Sequence, residues 1–414
     1  MKNEYKVLIV EDLKSWIREM KNELSKAVPN AQIEVAYCQE EARQKLANSH
    51  YHFTSLDQNM PTHPESFVSV NVGAGFTVDL QDKYPCLGLG IYTAYSEDEN
   101  YALSVGRAAG RTIPVWRKSA GSGDPSGISV PKWAGNVKEW MATKYLPFCF
   151  NQAATHLPCH LAETAGHING VVGKDNKNDA QIFARQSFHF WTLVLQLSSA
   201  QAMAIARSAG ISFMVPSDHK YEALENMLTD LLPVLQSKSS VSLWTPYIGD
   251  DGKQLINGSQ AIRLLRNQHS HETPLEDYRV QNKEILPNLQ KIMDAAIFWA
   301  NHPLLTDIRP CGGNRYKAKV IKGTGYPWTE QEFQMDAADL NPDHVYLKYS
   351  SPYSDTVKLI DLWPFVSLEF NKDLNRPCLF LISHRWKNNW YRVSMNNGHP
   401  EIWKPSPDAL QVLE

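Results

Sequence analysis

Three kinds of hydrophobic patterning divide the 414-residue chain. They predict a multidomain protein: an α/β doubly wound N-terminal domain, an all-α helical bundle in the middle and a small β-rich C-terminal domain. The N-terminal stretch alternates short apolar runs with helical spacing. From about Pro131 to Pro303 helical spacing runs on with almost no strand alternation. The remainder breaks into short strands whose turns are rich in Gly, Pro and Asn. Domains are therefore expected at 1–120, 131–305 and 306–414, with a linker at 121–130 that overlaps the stretch Ser119-Ala-Gly-Ser-Gly-Asp-Pro-Ser-Gly127.

In the first domain Lys6 to Val10 is an apolar run fit for a buried parallel strand, and Leu13 to Ala27 has helical spacing. Ile33 to Ala36 reads as a second strand and Gln39 to Ala47 as a second helix. Tyr51 to Leu56, Leu87 to Tyr92 and Thr112 to Trp116 are further strands. Repeated βα units imply a parallel sheet with helices on both faces.

In the middle segment, helices are expected over Phe188 to Ala209, Tyr221 to Leu235, Ser259 to about His271, and Ile285 to Ala300. Ser259 is the expected N-cap of the third, and Pro274 limits its extension. Strands follow at Lys317 to Ile321, Val345 to Tyr349, Val357 to Leu362, Cys378 to Ser383 and Trp390 to Ser394.

Composition narrows the function classes. With 43% hydrophobic and 21% charged residues the chain is ordinary globular protein, which excludes long disorder. Its net charge of −3 gives no general attraction for nucleic acid, so any polyanion site must be local. The six cysteines show no CxxC spacing, and the nearest approach to a zinc set is Cys149, His156, Cys159, His160 and His167. MKNEYKVLIVED has neither signal nor transit character, and no apolar run approaches the roughly 18 residues of a membrane span. A reduced, soluble, cytoplasmic protein is expected.

The first domain carries the clearest chemistry. Glu11 and Asp12 follow the first strand, Asp57 the third, Thr93 and Ala94 the fourth, and Lys118 the fifth. The carboxyl ends of an open parallel sheet line one crevice, so these side chains converge although spread over a hundred positions. Grouped carboxylates need a cation, and oxygen-only ligands favour Mg²⁺. One carboxylate can then attack a phosphoryl group whose oxygens a lysine and a hydroxyl receive.

VLIVED, LDQNMP, YTA and Lys118, in this order, resemble the receiver domain of two-component response regulators over roughly residues 5–120. The resemblance implies that Asp57 is the phosphoacceptor. Glu11, Asp12, Asp57 and the backbone carbonyl of Asn59 would hold Mg²⁺, Thr93 would be the switch hydroxyl, and Lys118 the phosphate-binding lysine. It also implies a histidine kinase as partner. Ser119 stands where the family usually has proline, and Val115 near its usual aromatic switch position.

The middle segment lacks the two short helices and basic second helix of a DNA-binding output. It holds instead AIRLLRNQHSHETP, Ala261 to Pro274. Arg266, Asn267 and His271 resemble the Rx₄₋₆H motif of the helical HEPN domains, with His269 in reserve. That family implies a metal-independent ribonuclease, with no cofactor at this site, in stress or phage defence. The RNA 2′-hydroxyl would attack its own phosphate to leave a cyclic phosphate in a cleft between two protomers of a homodimer. Histidine titrates near neutrality and arginine forks onto phosphate oxygens, so the residue types suit that chemistry. On a continuous helix Arg266 and His271 lie about 140° apart, so the helix must end near His271 or two chains must combine. The alternatives are a non-catalytic adaptor whose helical domain binds a protein, and an atypical transcriptional regulator. In the C-terminal domain, His384 to Arg392 alternates basic and aromatic residues, as a β-hairpin or an RNA contact would.

Overall fold

The computed structural model describes residues 5–69, 72–94, 113–119, 127–174, 176–218, 220–236, 244–268, 275–336, 338, 340–350, 357–372, 374–396 and 400–413. The chain divides into two compact units, Met1–Cys149 and Phe150–Glu414.

The first unit is built on five parallel strands: β1 (Lys6–Val10), β2 (Gln32–Ala36), β3 (Phe53–Leu56), β6 (Gly88–Thr93) and β7 (Val115–Arg117). They lie in the order β2-β1-β3-β6-β7. A two-stranded ribbon, β4 (Met60–Pro61) with β5 (Val68–Ser69), interrupts the connection after β3. This is a doubly wound order whose switch point lies between β1 and β3.

Strand alternation sorts the core onto two faces. Leu8, Val10, Leu56, Leu89 and Ile91 pack beneath α2 (Gln39–Asn48) and α3 (Val72–Lys83). Val7, Ile9, Phe53 and Tyr92 face α1 (Lys14–Ala27) and α4 (Val130–Glu139). Each helix presents an apolar stripe, with Ile17, Met20 and Leu24 on α1 and Trp133 and Val137 on α4. Trp133 stacks on Tyr92 with ring centroids 5.7 Å apart.

The unit therefore runs past the expected boundary at 120. A parallel sheet must be covered on both faces, and α1 alone leaves one face open until α4 closes it. Residues 127–130, placed in the expected linker, belong to this unit as well. Ile128 donates its N–H to Arg117 O at 2.8 Å, and its carbonyl accepts from the Tyr92 hydroxyl at 3.1 Å. Expected linker positions 120–126 lie outside the described residues.

Glu34 on β2 gives a testable electrostatic contribution. Burial pulls its carboxyl up, but bonds from Lys6 and Lys45, at 2.7 and 3.1 Å, outweigh this and hold it down at about 2. Its stabilisation is present above the ordinary carboxylate range and is lost as pH falls toward 2. Discounted for its one-third exposure, it amounts to about 1–2 kcal/mol. Urea midpoints compared at pH 6 and 2.5 are expected to fall further for the wild type than for Glu34→Gln.

The second unit combines helices and two antiparallel sheets. Its long helices are Lys177–Ser208, Tyr221–Leu235, Lys253–Gln268 and Leu275–Asn301. One sheet takes the order β10 (Glu330–Gln334), β9 (Arg315–Ile321), β8 (Leu304–Gly312), β11 (Tyr346–Ser350), β12 (Val357–Asp361). The other is β13 (Val366–Asn371), β14 (Arg376–Trp386), β15 (Asn389–Ser394), β16 (Pro400–Trp403). The expected boundary at 305 does not divide the chain, because hydrogen bonds join the two parts. Gly323 N–H reaches Leu157 O at 2.9 Å, Arg385 N–H reaches Pro216 O at 2.8 Å, and Arg376 pairs with Glu163 at 2.8 Å.

Ser259 is not an N-cap. Its helix begins at Lys253, and Ser259 lies buried in the interior, where its hydroxyl accepts from Trp191 Nε1 at 2.7 Å and donates to Glu225 Oε1 at 2.6 Å. Arg263 Nε closes the network on Glu225 Oε2 at 2.9 Å. Ser259→Ala leaves the indole N–H without its acceptor and one Glu225 oxygen without its donor. A thermal-melt comparison is expected to show about 2 kcal/mol of destabilisation.

Candidate functional site

The end of each parallel strand delivers one part of a small acidic crevice. β1 runs straight into Glu11 and Asp12, and β3 into Asp57, whose N–H donates to Val10 O at 2.9 Å and so fixes the two strand ends side by side. β6 ends at Thr93, and the Lys118 N–H donates to the Thr93 carbonyl at 2.5 Å. Glu11, Asp12 and Asp57 each offer a carboxylate oxygen, all within 4.8 Å of one another.

The surroundings are dry. Glu11 and Lys118 are almost wholly buried, Asp57 is nearly so, and Thr93 is fully buried. Lys118 Nζ sits 2.6 Å from Glu11 Oε2 and 3.3 Å from Asp57 Oδ2. Backbone N–H groups hold the other oxygens: Leu13 donates to Glu11 Oε1 at 3.2 Å, and Gln58 to Asp57 Oδ1 at 2.8 Å.

One lysine does not balance three carboxylates. Burial, then the charge of Asp57, pushes the Glu11 carboxyl up to about 7, against the pull of Lys118. Burial likewise raises the Asp57 carboxyl, although Lys118 and the Gln58 N–H oppose it. A cluster of oxygen donors in which the buried Glu11 and Asp57 resist ionisation fits a hard divalent cation, which would supply the missing positive charge.

Glu11, Asp12, Asp57, Thr93 and Lys118 thus lie at strand ends of one sheet, and Glu11, Asp12, Asp57 and Lys118 meet. Asn59 lies two residues beyond Asp57, on the loop entering β4. Three further contributions were not read from the sequence. Trp16 and Tyr92 flank the ammonium of Lys118, with ring centroids 5.3 and 5.7 Å from Nζ. Gly73, at the start of α3, donates its N–H to Gln58 O at 2.9 Å. A Cβ there would lie 2.3 Å from the Asp57 carbonyl oxygen, so this backbone approach requires glycine. Trp16 at least carries a signal, an aromatic at helical spacing on the inward stripe of α1.

In the second unit, Arg266 and Asn267 occupy the last turn of helix Lys253–Gln268 and line a cavity of about 650 Å³. The Arg266 guanidinium lies over the Tyr221 ring, 5.3 Å from its centroid. His269 and His271 lie outside the described residues. Among the described residues of the second unit, His156, Cys159, His160 and His167 form no cluster of ligand atoms; in the first unit the Cys149 thiol bonds to Cys86 O.

No family model matches the chain, and no curated protein does. Solved structures similar to it are CheY-like receiver domains over about a third of its length. One is a response regulator receiver domain protein from Methanospirillum hungatei JF-1, 14% identical, matched over 33% of this chain and 94% of that one, with a TM-score of 0.27. Another is the Mn²⁺-bound form of response regulator Rcp1, 14% identical over 34% and 96% of the two chains, with a TM-score of 0.27. A third is the phosphorylated cyanobacterial phytochrome response regulator RcpA, 15% identical over 34% and 95%, also at 0.27. At these scores the strand order and the acidic crevice, rather than the likeness, carry the functional reading. Among the described residues no helix is long and apolar enough to cross a membrane.

Proposed function

We propose that the first unit is a phosphoacceptor receiver whose state controls the second unit. The observation that carries this reading is the cluster of Glu11, Asp12 and Asp57 closed by the buried Lys118. Mg²⁺ bound by Glu11, Asp12, Asp57 and the Asn59 carbonyl would neutralise the carboxylates and the incoming phosphoryl oxygens. An Asp57 carboxylate oxygen forms the new P–O bond as the P–N bond of a kinase phosphohistidine breaks, and the imidazole nitrogen keeps that bond's electron pair. Lys118 then leaves Glu11 to meet a phosphoryl oxygen, and the Thr93 hydroxyl donates to another. The charge added at Asp57 shifts the unit between two arrangements.

For the output we favour an RNA-directed activity. Arg266 and Asn267, two parts of the Arg-Asn-x₃-His string, line one cavity, as a metal-independent ribonuclease would need. His271, or His269 in reserve, would exchange protons with the 2′-hydroxyl and the leaving oxygen, and a homodimer would complete the site. The second reading is an adaptor whose phosphorylation controls assembly with a protein partner. Cleavage of end-labelled RNA in EDTA, by phosphorylated and unphosphorylated protein and by His271→Ala, tests the choice. Cyclic-phosphate ends that depend on His271 support the nuclease, and intact RNA throughout supports the adaptor.

A further inference from the structure

The helix Lys177–Ser208 presents a polar stripe that the Arg-Asn-x₃-His string does not use. Arg185, His189, Thr192 and Gln196 recur at helical spacing along it, covering about 16 Å of helix. They line two adjoining cavities of about 650 and 390 Å³ within the second unit, and His189 belongs to both. Arg266 and Lys220 close the larger one, and His160 and His167 the smaller. Volumes of this size suit a small ligand with a few placed polar contacts.

The charge balance selects the ligand. Among the described residues two carboxylates line these cavities, and both face an arginine: Glu163 pairs with Arg376 at 2.8 Å, and Glu222 lies 3.7 Å from Arg263. Neither Arg185 nor Arg266 forms an ion pair among the described residues, and the Arg266 guanidinium lies over the Tyr221 ring. Two guanidiniums thus have no carboxylate partner among the described residues, Arg185 at the smaller cavity and Arg266 at the larger. Two buried polar atoms also lack partners, His160 Nε2 and Gln196 Oε1, on side chains that are 3% and 7% exposed. Buried polar groups are rarely left unsatisfied without a ligand or water to meet them. Burial and the charge of Arg185 hold the His189 imidazole down, so its neutral ring presents one N–H and one lone pair at neutral pH.

We propose that this groove binds a phosphate ester, with Arg185 and Arg266 taking its oxyanions and the His189 ring, shared by both cavities, donating a hydrogen bond. Arginine's planar fork suits phosphate oxygens. A mononucleotide and free phosphate share this chemistry. The site stands apart from the Asp57 phosphorylation reading and does not need RNA cleavage to exist.

Calorimetric titration of the full chain in EDTA with 5′-AMP, inorganic phosphate and adenosine tests it. AMP and phosphate are expected to compete for one site per chain while adenosine gives no heat. AMP binding more tightly than phosphate would identify a nucleotide site, and equal affinity a site for the oxyanion alone. Arg185→Gln and Arg266→Gln are each expected to weaken AMP binding about tenfold. His189→Gln should weaken it less, and Asp57→Asn should leave it unchanged. Arg185 is exposed, so its variant is expected to keep the wild-type melting temperature. Absence of binding by both phosphates, binding untouched by the two arginine variants, or loss of binding in Asp57→Asn would overturn the proposal.

Discussion

Lys118→Met is expected to destabilise the first unit by about 3 kcal/mol at pH 8, because it strands Glu11 and Asp57 as buried carboxylates without their cation. The cost has a definite pH dependence. Glu11 is held up at about 7, above its unfolded value of 4.5. The folded state therefore binds the extra proton between those values, and stability falls as pH rises through that window. Removing the lysine removes the attraction that opposes this shift, so the fall steepens. At pH 5.5 Glu11 takes a proton, and the difference from wild type should shrink. Added Mg²⁺ at pH 8 should recover part of the loss. Urea titrations of the full chain at the two pH values, with and without the metal, check each part.

Gly73→Ala carries the second large effect. The new methyl group would sit 2.3 Å from the Asp57 carbonyl oxygen and 2.8 Å from the Gln58 Cα. Both neighbours are backbone, so the clash cannot be relieved by a rotamer change. Either α3 withdraws or the end of β3 moves, and overpacking of this kind costs about 2–3 kcal/mol. Because the displaced atoms carry Asp57, the rate of phosphorylation should fall as well as the urea midpoint. Gly75→Ala, where a methyl group meets open space, is the control and should leave the phosphorylation rate unchanged.

Much of the first unit could be read from its sequence because its signals are local. Lys6–Val10 is a strand from its apolar run alone, and the acidic, hydroxyl and lysine residues sit directly after strands, where a parallel sheet brings chain ends together. What failed to show depends on distant contacts. Helix α4 looked like the start of another domain, because a Gly- and Ser-rich stretch precedes it, and only the uncovered sheet face explains why Trp133 and Val137 belong to the first unit. The β4–β5 ribbon has two residues per strand, too few for any period to register.

Ser259 misled for a related reason. Its residue type and position suit a cap, but its hydroxyl bonds instead to Trp191 and Glu225, 68 and 34 positions away. Gly73 looked like any glycine in Val-Gly-Ala-Gly, since its proximity to Asp57 arises only when α3 docks. His160 and His167 drew attention as spaced metal ligands. In the fold they join Arg185 and His189 around a cavity, a grouping in which helix packing outweighs sequence spacing. Arg266 and Asn267 were found by motif, and the polar stripe they adjoin was not, because a buried stripe of Thr and Gln resembles any helix interior until its neighbours are known.

The most direct test of the central claim is intact-mass and peptide mapping after incubation with acetyl phosphate and Mg²⁺. One phosphoryl group located on Asp57, blocked by EDTA and absent from Asp57→Asn, is the predicted result. No phosphoryl transfer in the presence of the metal, or transfer that persists in Asp57→Asn, would contradict the assignment of this crevice as a phosphoacceptor site.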